Sequence, residues 1–118
     1  MKITLCSSAT FFEQLGDIKK SLEERGYEVF LPSMKDFHHL EEDALAKIQY
    51  DLINEHFQKI EQSDAIYVAN YDKNGVAGYI GGNSFLEMGF AYVLNKPIYL
   101  LHQIPDVGYQ NELEAMNP

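Results

Sequence analysis

The carboxylate of Glu87 is the group in this sequence with the clearest potential for chemistry. It is the only charge in an apolar and aromatic stretch from Ser84 to Leu94, and burying a carboxylate is costly unless a partner compensates it. We expect Glu87 in the first turn of a helix, where the dipole keeps it ionised. An ionised carboxylate beside a cleft can attack a sugar carbon or act as a general base. The alternative is a structural glutamate that caps its own helix or pairs with a lysine.

A glycine-rich loop at residues 74–84 precedes Glu87. Its glycines permit backbone conformations closed to other residues and a close approach to a ligand; they are Gly75, Gly78, Gly81 and Gly82. Asn83 is predicted to cap the following helix, so the first helical N–H groups would face a sugar or a phosphate. The substrate-binding candidates here are Gly81, Gly82, Asn83 and Ser84. The loop matches neither the Rossmann nor the P-loop fingerprint, and a flexible connection is the alternative.

His56 is the second catalytic candidate. It shares a helical face with Leu52, Ile53 and Ile60 by spacings of three and four, so we expect it to point inward or along the edge of the cleft. Histidine exchanges protons near neutral pH and can protonate a leaving group. The alternative is a partly buried histidine whose hydrogen bonds are satisfied within the protein.

The end of the first predicted strand carries further candidates. Ser7 and Ser8 follow it directly, and their hydroxyl or amide groups are predicted to bind phosphate or ribose, with a simple polar turn as the alternative. Cys6 ends the strand and is predicted to be a small core residue rather than a nucleophile. Asp72 and Lys73 lie in the loop on the same side and could reach a substrate, although most such charges are solvated.

The other histidines lack the spacing of a metal site. His38 and His39 lie in a predicted polar loop, and His102 follows the last predicted strand; none forms an H-x-x-x-H pair on one helix. We expect an exposed loop pair. A carboxylate nucleophile and a proton donor suffice for glycosidic chemistry, so no metal and no other cofactor is predicted.

Strand and helix patterns alternate along the chain, which predicts a parallel sheet covered on both faces. The predicted strands are Lys2–Cys6, Tyr27–Leu31, Ala65–Ala69 and Ile98–Leu101. The predicted helices run from about Phe11 to Arg25, from Glu41 to Gln62 and from Ser84 to Leu94, with a turn and short helix between Asp106 and Met116.

This order predicts one α/β domain over residues 1–118 with a flavodoxin-like, three-layer architecture. The expected strand order is 2-1-3-4, or 2-1-3-4-5 if a fifth strand follows the last predicted one. Ligands of such sheets bind beyond the carboxyl ends of the strands, where the order reverses. Here that point lies between the first and third strands, bordered by residues 7–10 and by the loop at 70–83.

Composition restricts the partners. The formal net charge of −9 opposes contact with phosphate backbones, so we expect neither polymeric nucleic acid nor anionic membranes as partners. A single nucleotide remains compatible, because helix-terminal amides can hold one phosphate. The one cysteine prevents an internal disulfide, and with no signal-peptide pattern and no apolar run of ~20 residues we expect a reducing, cytoplasmic location.

Several segments together resemble the nucleoside 2-deoxyribosyltransferase family, which includes deoxynucleoside 5′-monophosphate N-glycosidases. They are residues 63–68, the glycine loop, residues 87–91 and residues 96–101, within a resemblance that extends from Lys2 to Leu101. The resemblance implies a flavodoxin-like fold, a small-molecule nucleoside or nucleotide substrate, and a glutamate that attacks the anomeric carbon. Glu87 occupies the position of that nucleophile, and another base or water would resolve the glycosyl-enzyme.

The same resemblance leaves alternatives open. Thr4 stands where the family usually has a tyrosine, His56 where it has an aspartate, and Gly81 where an acidic residue or a serine is common. A protein that binds a nucleotide or a nucleotide-derived signal without cleaving it is therefore a second hypothesis. An FMN-binding flavodoxin-like protein is a third, suggested by the hydroxyl-rich residues 7–10.

Self-association is also expected. Sites in this family are often completed by a neighbouring subunit, and the apolar third helix with Tyr79 and Tyr92 could supply an interface. We expect a homo-oligomer, a dimer or higher.

Overall fold

The computed structural model describes residues 1–33 and 42–118, with side chains described except at Ala9 and residues 42–49. The predicted loop with His38 and His39 lies outside this part. The strands are β1 (Lys2–Cys6), β2 (Glu28–Phe30), β3 (Ala65–Val68) and β4 (Ile98–Leu100). The helices are α1 (Phe12–Glu24), α2 (Glu42–Gln62), α3 (Gly82–Val93) and α4 (Gln110–Ala115), with a 3-10 turn at Ala9–Phe11.

The sheet is parallel throughout, with the order β2-β1-β3-β4. This confirms the predicted flavodoxin-like architecture, with four strands in the described part of the chain. β1 and β3 are the central strands, and their ends lie side by side because Cys6 pairs in register with Val68. The order reverses between these two strands, so the edge beyond Cys6 and Val68 is the place for a ligand.

Alternation along β1 separates the two faces of the sheet, because successive side chains of a strand point to opposite sides. Ile3 and Leu5 pack with Leu15 of α1 on one face. Cys6 packs on the other face with Ile60 of α2 and Met88 of α3. The side chain of Cys6 therefore lies in the layer that contains α2 and α3.

The start of α3 differs from the prediction. Gly81, in an extended conformation, is the N-cap, and its carbonyl oxygen accepts the first helical hydrogen bond from the Phe85 N–H at 2.9 Å. The prediction of Asn83 as the N-cap is therefore wrong, because the helix has already begun at Gly82. Glu87 consequently lies beyond the first turn, and the helix dipole is not what compensates its charge.

The apolar composition of α3 does not bury the helix on all sides. Met88 and Ala91 are fully buried against the sheet, whereas Tyr92 and Val93 are 55% and 76% exposed. α3 covers the sheet with one face, and the other face carries apolar residues into solvent.

No helix among residues 1–33 and 42–118 is both long enough and apolar enough to cross a membrane.

Candidate functional site

Glu87 belongs to a buried cluster of three side chains, each from a different element. Oε2 of Glu87 on α3 pairs with Nε2 of His56 on α2. The same Nε2 lies 3.5 Å from Sγ of Cys6, the last residue of β1. The sulfur, nitrogen and carboxylate oxygen all lie within 4.8 Å of one another. We call Cys6, His56 and Glu87 the triad.

Helix packing positions the two catalytic candidates. His56 is one turn before the fully buried Ile60, so the face of α2 that packs on the sheet also carries the imidazole. Glu87 immediately precedes the buried Met88 of α3. Between the helices, the ring of Phe57 meets that of Phe90 edge-on with centroids 5.0 Å apart, which fixes the helices at the separation that brings His56 to Glu87.

Burial differs among the three groups. Cys6 is fully buried and His56 is 6% exposed, while the side chain of Glu87 is 13% exposed. The partner of the Glu87 carboxylate is a histidine on a neighbouring helix, rather than its own helix terminus or a lysine. The carboxylate is thus held by a partner that can exchange protons, and it remains in partial contact with solvent.

The environment of Cys6 keeps its thiol neutral. Burial is the largest cause that raises its pKa well above the usual 9.0, followed by the negative charge of Glu87 and a hydrogen bond to Glu87. A thiol with a raised pKa is a poor nucleophile at neutral pH, in keeping with the predicted role as a small core residue. Sequence reasoning nevertheless missed that Cys6 contacts His56. The alternation of β1 places Cys6 on the face opposite to Leu5, but it does not show which helix covers that face.

The second nitrogen of His56 has no hydrogen-bond partner among the described residues, although it is buried. Unpaired buried polar atoms are uncommon and carry a desolvation cost. The imidazole is therefore oriented through Nε2, by Cys6 and Glu87, and not through Nδ1.

A second group of polar side chains borders the same edge of the sheet. Nζ of Lys73 donates a hydrogen bond to Oγ of Ser8 at 2.7 Å and lies 5.6 Å from the ring centroid of Tyr79. Oγ of Ser7 donates to the carbonyl oxygen of Ser8 at 2.9 Å. Ser8, the hydroxyl partner of this ammonium, comes two residues after Cys6 in the chain.

The glycine loop consists of hydrogen-bonded turns and is not an irregular connection. Asn74 and Gly75 both have positive φ, 53° and 76°, in a two-residue turn closed by paired backbone hydrogen bonds between Lys73 and Val76. The N–H of Gly78 then donates to Oδ1 of Asp72 at 2.9 Å. Asp72 therefore shapes the loop from within.

Asn70 is a structural residue that sequence reasoning missed. Its Nδ2 donates to the carbonyl oxygens of Gly78 and His102, both at 3.1 Å, and its Oδ1 accepts from the His102 N–H at 2.8 Å. The side chain is buried and ties the glycine loop to the segment that follows β4. A polar residue directly after a buried strand was the available signal. His102 takes part through its backbone.

The remaining predicted binding residues are distributed around the start of α3. Gly82 and Asn83 are exposed, Gly81 is partly buried and Ser84 is buried. Of the predicted site residues, the structure brings Glu87 and His56 into contact, and it groups Ser7 and Ser8 with Lys73.

The fold and the triad define a protein of the flavodoxin-like α/β class with a carboxylate–histidine pair near the switch point of its sheet. Its structure is similar to that of a 2-deoxyribosyltransferase from the psychrotolerant bacterium Bacillus psychrosaccharolyticus, with a TM-score of 0.55 and 25% identity over 85% of this chain and 71% of that chain. The resemblance to the nucleoside 2-deoxyribosyltransferase family that the sequence motifs indicated is thereby confirmed.

A second similar structure supports the fold alone. It is a conserved protein from Enterococcus faecalis V583, 15% identical over 99% of this chain and 74% of that chain, with a TM-score of 0.55. Comparison of the sequence with protein-family models and with curated proteins gives no match.

Proposed function

We propose that this protein cleaves or transfers at the N-glycosidic bond of a nucleoside or nucleoside monophosphate, with Glu87 as the nucleophile. The observation that carries the proposal is the pairing of Glu87 with His56, at a carboxylate whose side chain is 13% exposed. Similarity to a 2-deoxyribosyltransferase supports a nucleoside as the substrate class.

The proposed reaction proceeds in two steps. An Oε atom of Glu87 attacks the anomeric carbon, the C–N bond breaks, and its electron pair leaves with the base, which takes up a proton. Water or a second base, whose proton passes to the now neutral His56, then attacks the same carbon and releases the sugar from the carboxylate. A covalent glycosyl-carboxylate route of this kind divides one difficult step into two easier ones.

His56 has two parts in this proposal. Its contact with Oε2 orients the nucleophile before substrate binds. As the bond to the sugar carbon forms and the C–N bond breaks, the carboxylate loses its charge, that contact is released, and the imidazolium form of His56 gives its Nε2 proton to the departing base and becomes neutral. Positioned proton transfer of this kind contributes about 10²–10⁴-fold to a rate.

The group around Lys73 is proposed to bind the polar end of the substrate. Ser8 and Lys73 join a hydroxyl to an ammonium beside the carboxyl end of β1, and N–H groups of Gly81, Gly82, Asn83 and Ser84 begin α3 on the neighbouring side. Hydroxyl, ammonium and helix-terminal amides are the donors that bind ribose and phosphate.

We also propose that the protein forms a homo-oligomer through the exposed apolar face of α3. Tyr92 and Val93 are solvent-exposed in the isolated chain, and exposed apolar patches mark interaction surfaces. A second copy is the occupant that the family resemblance implies.

Incubation of the purified protein with a panel of purine and pyrimidine nucleosides and their 5′-monophosphates tests this function. Chromatography is expected to show free base from at least one member, and base exchange when a second base is added if the enzyme is a transferase. Tight binding of a nucleotide with no free base and no exchange would contradict the proposal and would favour the non-cleaving binder.

A further inference from the structure

The donor atoms of the triad form a set suited to a transition-metal ion. Cys6 offers a thiolate sulfur, His56 an imidazole nitrogen and Glu87 a carboxylate oxygen, all within 4.8 Å of one another. These are the three ligand types that Zn²⁺ binds in proteins, whereas Mg²⁺ and Ca²⁺ require sets of oxygen atoms.

The distance between the donor atoms of Cys6 and His56 fits tetrahedral coordination of one ion. Zn–S bonds of about 2.3 Å and Zn–N bonds of about 2.0–2.1 Å at tetrahedral angles place the two ligand atoms about 3.5–3.6 Å apart. The distance between Sγ of Cys6 and Nε2 of His56 is 3.5 Å. Glu87 is the most exposed of the three side chains, and a rotation of its carboxylate exchanges the hydrogen bond to Nε2 for a bond to the ion.

Charge balance favours the same ion. A thiolate and a carboxylate together carry two negative charges, which a divalent cation neutralises, so the buried cluster has no net charge when the ion is bound. The thiol proton leaves to solvent as the bonds form, and the imidazole binds as the neutral tautomer with its proton on Nδ1. The fourth coordination position is left for water, since the side chain of Glu87 is 13% exposed.

We propose that the triad is a Zn²⁺-binding site whose occupation inhibits the enzyme. The inhibitory part rests on the proposed function: a carboxylate oxygen bonded to the ion cannot attack the sugar, and Nε2 bonded to the ion carries no proton for the leaving base. The metal and the nucleoside thus compete for the same two side chains.

Titration of the purified protein with Co²⁺ tests the site without reference to activity. Cys6 is the only cysteine of the chain, so any thiolate-to-cobalt charge-transfer band reports Cys6 alone. We expect this band, with tetrahedral d–d bands, in the wild-type protein and in the control His102→Gln, and their displacement by Zn²⁺. We expect no charge-transfer band in Cys6→Ser. Absence of the band from the folded wild-type protein overturns the site.

The variants His56→Gln and Glu87→Gln locate the other ligands. Each is expected to weaken Co²⁺ binding by at least about tenfold, since loss even of groups that only orient a ligand costs 10–100-fold. Undiminished binding in both, with circular dichroism showing the native fold, overturns the triad as the site.

The inhibitory part is measured as the ratio of base-release rates with Zn²⁺ and with a chelator. The expected result is a loss of at least about tenfold in the wild-type protein, reversed by the chelator. Stimulation by Zn²⁺, or an unchanged rate with the site occupied, overturns inhibition. If no substrate yields base at all, the proposed function fails, while the cobalt spectrum still decides whether the site exists.

Discussion

Nε2 of His56 contacts the Glu87 carboxylate and also lies 3.5 Å from Sγ of Cys6. One imidazole nitrogen thus joins the end of a central strand to two helices beneath the ligand edge of the sheet. The carboxylate is oriented by a group that exchanges protons, and the thiol beside it remains neutral because burial and the charge of Glu87 raise its pKa. The proposed catalysis depends on this contact.

His56→Gln separates orientation from proton transfer. The glutamine amide can still donate to Glu87, but it cannot supply a proton, so we expect kcat to fall by about 10²–10⁴-fold with little change in stability. For a substrate whose leaving group needs no proton, kcat should fall much less. The control is His102→Gln, an exposed histidine whose backbone N–H, not its ring, bonds to Asn70. A wild-type kcat in His56→Gln would exclude His56 as the proton donor.

The buried thiol of Cys6 makes the free energy of unfolding depend on pH in the alkaline range. In the unfolded chain Cys6 ionises around its usual pKa of 9.0, whereas the folded protein keeps it protonated to higher pH. The unfolded state then binds fewer protons, so the free energy of unfolding falls as pH rises above about 9. The contribution of one proton reaches at most about 1.4 kcal/mol per pH unit.

Urea denaturation of the wild-type protein and of Cys6→Ser at a series of pH values from neutral to alkaline measures this effect. Both proteins share the ionisation of Tyr67, whose pKa burial also raises, so the difference between them isolates the thiol. We expect the stability of the wild-type protein to fall more steeply than that of the variant. Parallel curves would show that the Cys6 pKa is not raised in the folded state.

Lys73→Met tests the proposed recognition of phosphate. The substitution keeps an unbranched side chain but removes the ammonium that bonds to Ser8. Charge-assisted hydrogen bonds are worth about 1.5–3 kcal/mol, so KM for a nucleoside monophosphate should rise by roughly tenfold or more, with KM for the nucleoside unchanged. Lys96→Met, at the opposite end of the sheet before β4, is the control. An equal effect on both substrates would assign Lys73 to structure rather than to phosphate binding.

Gly78 and Gly75 provide a matched pair in the glycine loop. Both have positive φ, 65° and 76°, but a Cβ at Gly78 would lie 2.7 Å from the carbonyl oxygen of Gln103, whereas at Gly75 it meets nothing within 4 Å. Gly75→Ala should cost about 1 kcal/mol of strain, and Gly78→Ala distinctly more, about 2–3 kcal/mol or above. Denaturation midpoints measure both, and equal losses would mean that the loop does not pack closely on the segment after β4.

The architecture was predictable because its signals are local. Period-two and period-3.6 patterns located the strands and helices, and their alternation predicted the parallel sheet and its order. Glu87 stood out as a lone charge in an apolar helix, and the spacing of His56 from Ile60 predicted its inward orientation. The predicted start of α3 was wrong because Asn83 is a residue type that often caps helices. In the structure Gly81 is the N-cap.

The contacts within the site were less accessible to sequence reasoning, because they join residues far apart in the chain. Cys6 and His56 are separated by 50 positions, and no local pattern shows that a strand end and a helix face will meet. The hydrogen bond of Asn70 to His102, after β4, likewise joins residues that are 32 positions apart. Such contacts depend on how elements pack, which composition and periodicity do not specify.

The rate of base release by Glu87→Gln tests the central claim most directly. The variant keeps the size of the side chain and a hydrogen-bonding partner for His56, while the amide cannot form the glycosyl ester. With Glu13→Gln as a control, and with a nucleoside or monophosphate that the wild-type protein cleaves, chromatography should show a rate at least about a thousandfold lower, a loss of ~4 kcal/mol in transition-state stabilisation. A folded Glu87→Gln variant that releases base at the wild-type rate would contradict the account.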